Sequence, residues 1–226
     1  VLGGLPHSAD VSVPERHLGL HLPGELESET TYDRLADLVE EHVELDALLG
    51  RAATIGMDGP KNTRDVPPAD TEARIGLARD DAFCFYYRDN LRLLAESGAE
   101  IVEFSPMKDD LPADLDALYF GGGYPELAAE ELAANTGLLD GLGQFDGPIY
   151  AECGGLMYLA ETLRTDDGIY EMAGLLPLEV DLSGDLEIGY VTVEFGEDAS
   201  FGAGLTARGQ LYHKSGIHSR GDLASA

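Results

Sequence analysis

GPIYAECGGLMYL, residues 147–159, joins an apolar run to a glycine pair through one cysteine, Cys153. The run Pro148–Ala151 is short, apolar and closed by a turn signal, as a buried strand is. Gly154 and Gly155 let the backbone bend sharply, and GLMYLAETL (155–163) has the apolar spacing of a helix. Strand, sharp turn and helix in that order form the unit of an open α/β sheet, which presents its chemistry at the carboxyl ends of its strands. Cys153 falls at such an end. Two readings of it stand side by side. In one it is a nucleophile on a strained elbow where only small neighbours fit. A helix N-terminus then favours thiolate, and the Gly154 N–H faces a developing oxyanion. In the other it is a buried thiol, a common state of cysteine.

The same pattern recurs upstream. LDALYFGGG (115–123) reads as a strand running into glycines, and PELAAEELAAN (125–135) as a helix with proline in its first turn. N–H groups of Gly121, Gly122 and Gly123 could complete an oxyanion hole, cradle a phosphate, or form a plain tight turn. The pattern GxxxxGK[ST] is absent, which ranks the phosphate loop lower. Further strands are expected at ARIGLA (73–78), EIVEF (100–104) and IGYVTVEF (188–195), and a helix at YYRDNLRLLAESG (86–98) ending at Gly98. The expected fold class is α/β, an open and mostly parallel sheet with helices on both faces.

The stretch 58–73, DGPKNTRDVPPADTEA, is rich in proline and poor in apolar residues, and reads as a linker. Ahead of it, residues 1–57 hold a short apolar strand or turn, VLGGLP, and a helical pattern over 30–50. Thr30 or Thr31 could cap that helix and Gly50 could end it. These pieces are too few for a core of their own, so residues 1–57 are expected to need a partner surface. Residues 74–226 carry the sheet.

The chain has 226 residues, of which 44% are hydrophobic and 25% charged, as in a globular protein with a core. Its formal net charge is −29, and its lysines are Lys61, Lys108 and Lys214 alone. So negative a field repels phosphate backbones, and no nucleic-acid partner is expected. The acid is spread along the chain, which points to a halophilic source where salt screens self-repulsion. No apolar run of about 18 residues suggests a membrane span, and the N-terminus lacks a signal-peptide pattern. Cys84 and Cys153 make neither a disulfide framework nor a zinc motif, so no metal is expected and a cytoplasmic location is. Cys84, flanked by aromatics, reads as a packed residue.

A thiol nucleophile usually needs a base. The histidines are His7, His17, His21, His42, His213 and His218. His42 sits on the expected helix and reads as structural. His213 follows the last strands and could return to the cysteine's sheet edge, with His218 as the alternative.

Several of these stretches resemble one family. RIGLARDDAFCFYYRDNLRLL (74–94), EFSP (103–106), LYFGGGYPELAAEELAAN (118–135) and AECGGLMYL (151–159) resemble the glutaminase domain of the cobyrinate a,c-diamide synthases. SVPERHLGL (12–20) resembles the end of that family's synthetase domain. The resemblance implies a class I glutamine amidotransferase domain, flavodoxin-like, preceded by a remnant of a P-loop-type synthetase domain. It implies that Cys153 forms a glutamyl thioester, that His213 moves protons, and that Gly122 and Gly154 supply oxyanion N–H groups. Arg16 and His17 would line the synthetase site or simply pack the domain junction. Implied partners are glutamine, a corrin or other tetrapyrrole carboxylate, and a synthetase domain in cis or trans, with a homodimer also expected. ATP and Mg²⁺ would serve the full-length enzyme from a site mostly outside this chain. The family's G-H-E-F-H-Y-S reads here as Gly209-Gln210-Leu211-Tyr212-His213-Lys214-Ser215. Two alternatives therefore accompany the cobyrinate enzyme: a catalytically impaired remnant or binding partner, and a nickel-sirohydrochlorin a,c-diamide synthase.

Overall fold

The computed structural model describes residues 1–12, 29–52, 72–182, 184–197 and 203–219. The chain divides into two compact units, Val1–Asp65 and Val66–Ala226. Most of the expected linker 58–73, together with Arg16, His17 and His21, lies outside the described residues.

In the first unit the helical pattern is broken in two, α1 (Glu29–His42) and α2 (Leu45–Ala52). The break is Val43, which leaves the helix to bridge Gly3, while Glu44 N donates to Leu2 O. Thr30 and Thr31 lie within α1, and Gly50 lies within α2 instead of ending a helix.

The second unit begins with β1 (Ala73–Ala78), α3 (Arg88–Glu96), β2 (Ala99–Phe104) and β3 (Ala117–Phe120). A 3₁₀ turn at Pro125–Ala128 leads into α4 (Ala129–Ala134), followed by α5 (Thr136–Gly143) and β4 (Ile149–Ala151). The expected helix 125–135 is thus a 3₁₀ turn plus α4. It stops at Asn135, whose side chain accepts from Leu138 N and starts α5. The four strands form one parallel sheet in the order β2-β1-β3-β4. Their register sets the site. Ala78 pairs with both Phe104 and Phe120, and Phe120 pairs with Ala151. All four strands therefore end on one line, and the loops that follow share one edge.

Strand alternation sends Leu118 and Phe120 to one face, where they pack with Leu132, Leu138, Leu142 and Tyr158. Phe83, Phe104 and Tyr158 meet Phe120 at ring distances of 5.9, 5.9 and 5.6 Å. The other face carries Ile75, Ala117, Tyr119 and Tyr150. With α3 it forms an apolar groove of about 580 Å³. Helices thus lie on both faces, as the apolar runs led one to expect.

Beyond Cys153 the structure departs from expectation. The helix is only α6 (Gly154–Leu159), and the chain passes directly into β5 (Ala160–Arg164). Ala160 and Leu163 are fully buried there, and pairing with the two strands that follow overrides the helical pattern of AETL. Next come β6 (Ile169–Glu171), β7 (Leu176–Asp181), β8 (Glu187–Glu194), β9 (Thr206–His213) and β10 (Gly216–Ser219). A mixed sheet runs β10-β7-β5-β6, while β8 and β9, among the described residues, pair only with each other. Of these strands only β8 was expected.

Candidate active site

Cys153 has φ 52° and ψ −114°, a left-handed conformation rare for a residue with a side chain. The bend is held on both sides. Glu152 N donates to Phe120 O at 3.1 Å, which still belongs to the sheet. Gly155 N reaches Glu152 O at 2.9 Å and Gly121 O at 3.0 Å, closing the turn. A Cβ on Gly155 would stand 2.4 Å from Phe120 O, so the close approach needs glycine.

The glycine loop after β3 lies against this elbow. The backbone N–H groups of Gly123 and Gly154 lie beside the Cys153 sulfur and favour its thiolate. Gly122 lies beside them, its Cβ position 3.4 Å from Cys153 Cβ, and its carbonyl accepts from Cys84 N (3.1 Å) and Phe85 N (3.0 Å). Sequence reasoning offered the whole run Gly121–Gly123, and the resemblance picked out Gly122 with Gly154. A run of three glycines marks a loop but does not tell which N–H turns toward the thiol.

Cys153 is exposed as a residue, yet its side chain rests against the wall of this loop. Desolvation by that wall pushes the thiol pKa up. The Gly154 and Gly123 donors pull it down, and the charges of Glu126 and Glu152 push it up. The upward influences win, so the resting group is a thiol. The expected help from a helix dipole is small, because α6 has six residues.

Four side chains that sequence reasoning passed over brace the elbow. Glu152 accepts from Tyr119 Oη (2.7 Å) and Tyr150 Oη (3.4 Å). Asp80 accepts from Ala82 N, Phe83 N, Ser105 Oγ and Met107 N, which folds the loop after β1 toward the glycines. Cys84 lies in that loop.

The histidines lie elsewhere. His213 ends β9, half-buried, with Nδ1 3.1 Å from Ser215 O and Nε2 3.7 Å from a Glu187 carboxylate oxygen. No hydrogen bond joins it to Cys153. His218 Nε2 lies 3.0 Å from Asp181 Oδ2, across β10 and β7. His42 Nδ1 bonds Leu38 O within α1. Among the described residues no cluster of His, Cys, Asp and Glu could hold a metal, and no helix is long and apolar enough to cross a membrane.

A thiol with two N–H donors at its sulfur, on a strained turn, suits attack on a carbonyl carbon. Residues 74–219 match the CobB/CobQ-like glutamine amidotransferase domain. The chain belongs to that family. It is 41% identical over 225 residues to a cobyrinate a,c-diamide synthase of Listeria monocytogenes serotype 4b, covering 95% of this chain and 49% of the relative. A cobyrinate a,c-diamide synthase of Synechocystis sp. is 41% identical over 197 residues, 84% of this chain and 41% of the relative. One from Syntrophotalea carbinolica is 42% identical over 220 residues, 90% of this chain and 46% of the relative. The chain spans about half the length of the curated relatives it matches.

Proposed function

We propose that this chain is the glutamine-hydrolysing part of an ATP-dependent amidoligase of cobalamin biosynthesis. The whole enzyme would amidate the a and c acetate carboxylates of cobyrinate, or of a related tetrapyrrole, with ammonia from glutamine. The observation that carries the proposal is the Cys153 elbow, with the Gly123 and Gly154 N–H groups at its sulfur. Residues 74–226 form the glutaminase, 58–73 the linker, and 1–57 the end of the synthetase domain, with Arg16 and His17 at its site or junction.

An amide is a poor electrophile, and covalent catalysis splits its hydrolysis into two easier steps. Cys153 gives up its proton to a base, and the sulfur attacks the side-chain amide carbon of glutamine. The carbonyl oxygen takes the electron pair and is held by loop N–H groups, of which Gly122, Gly123 and Gly154 are the candidates. Each such donor is worth roughly 2.7–4 kcal/mol in the transition state. The C–N bond breaks as the base returns its proton, releasing ammonia and leaving a glutamyl thioester. Water then attacks the thioester, releasing glutamate and restoring the thiol.

His213 is the proton carrier in this scheme. It bonds to Ser215 O and sits near Glu187, so the β8–β9 hairpin has to bring it to Cys153 when substrate binds. Catalytic bonds are often made only in the substrate complex. The same observation favours the second reading, a remnant that folds but turns over poorly.

MgATP does not fit the described residues: the sequence lacks GxxxxGK[ST], and no acidic cluster is placed to hold a metal. ATP and Mg²⁺ belong, in this proposal, to the synthetase domain in cis or trans. Whether the tetrapyrrole carries cobalt or nickel is a matter for substrate assays. A cytoplasmic, salt-adapted enzyme, in the form of a homodimer, completes the proposal.

Glutamate release from glutamine, measured in molar salt for wild type and Cys153→Ala, tests it. Release by wild type and a fall to background in the variant support the glutaminase. A folded wild type with no release favours the remnant.

A further inference from the structure

Tyr86 lies at the end of the loop that grips the glycine cluster. Its hydroxyl donates to Ala78 O, at the end of β1, and accepts from Gly121 N at 2.9 Å. Burial pushes the phenol pKa far above its ordinary value, so the hydroxyl keeps its proton and acts as donor and acceptor together. The ring packs edge-on to Tyr119 at 5.2 Å. A Cβ on Gly121 would meet the Tyr86 ring at 2.5 Å, so ring and loop are in close contact.

Gly121 also links the loop to the nucleophile. Its carbonyl accepts from Gly155 N at 3.0 Å, on the far side of Cys153, and two residues on Gly123 N–H reaches the sulfur. One residue, Gly121, is thus held by Tyr86 and holds the elbow. We infer that Tyr86 is a positioning residue for Cys153: its hydroxyl fixes the glycine loop so that the Gly123 N–H stays on the sulfur. The inference deepens the proposed function, because it takes Cys153 as the reacting group.

Tyr86→Phe removes the hydroxyl and keeps the ring. Gly121 N and Ala78 O then lose a partner, the loop gains freedom, and thiolate at Cys153 loses a donor. The titratable groups acting on that sulfur, Glu126 and Glu152, are unchanged by the substitution. The test is the rate of Cys153 alkylation by iodoacetamide from pH 6 to 10, resolved by peptide mass spectrometry so that Cys84 is counted separately. It reads the thiol whether or not glutamine is the substrate. Expected is an upward shift of the Cys153 profile by about 0.5–1 pH unit, or roughly 3–10-fold less thiolate at neutral pH. Labelling by a glutamine-analogue diazoketone is expected to slow by a similar factor. An alkylation profile unchanged in a folded variant overturns the inference; loss of diazoketone labelling in wild type strikes the glutaminase reading and leaves the alkylation test standing. Should Tyr86→Phe not fold, native-state hydrogen exchange on the unaltered chain decides. Protection of the Gly121 amide by more than about 100-fold supports the anchor, and exchange near the unstructured rate overturns it.

Discussion

At the sheet edge Cys153 is held by bonds from β3, from the glycine loop and from the start of α6, all seated on a buried aromatic core. At the β8–β9 ribbon, His213 ends a pair of strands that among the described residues bond only to each other, with Ile188 61% and Tyr190 92% exposed. A two-stranded ribbon is marginal by itself. In the proposed mechanism the nucleophile and its donors are the part built into the core. His213, the proton carrier of that proposal, sits on the exposed ribbon instead. Pre-organisation matters most where charge develops, and that is where this chain spends its packing.

The largest effect that should separate the two regions comes from Phe120→Ala. The side chain is fully buried beneath both the glycine loop and the elbow. A loss of about 3–5 kcal/mol is expected in urea denaturation, and a loss under 1 kcal/mol would mean the elbow does not stand on this core. Gly155→Ala comes next. The added Cβ meets Phe120 O at 2.4 Å, and about 1–3 kcal/mol of stability is expected to go, together with nearly all Cys153 labelling. At the ribbon, His213→Ala is expected to cost within about 0.5 kcal/mol and to leave iodoacetamide labelling of Cys153 within two-fold of wild type. A large stability loss there would make the ribbon part of the core.

The core side also has a pH signature. Burial raises the pKa of Tyr86, Tyr119 and Tyr158 above the ordinary tyrosine value of about 10. Above that pH the unfolded chain releases phenolic protons that the folded chain keeps, so unfolding becomes more favourable as pH rises. The stabilisation is complete below about pH 10 and declines above it. Denaturation midpoints compared at pH 8 and pH 11 should show the decline, reduced in Tyr86→Phe.

The split between the two regions also separates what could be read in the sequence. ARIGLA, EIVEF, LDALYFGGG and GPIYAECGG announce themselves as apolar runs closed by turn residues, and they became the parallel sheet. β5 reads as helix because AETL has helix-forming residues, and only pairing with β6 and β7 makes it a strand. β6, β7, β9 and β10 are short or interrupted by proline and glycine, and apart from the local β5–β6 hairpin their partners lie a dozen or more residues away in sequence. In the site, the cysteine ahead of a glycine pair was legible because only small residues allow that turn. Tyr86 was not, since its role arises from a contact with Gly121, 35 residues away in sequence.

The most direct test of the central claim is intact mass after exposure to a glutamine-analogue diazoketone in molar salt, with wild type and Cys153→Ala side by side. One adduct on wild type, mapped to Cys153, and none on the variant is the expected result. No adduct on a folded wild type, or the same adduct on both, would contradict it.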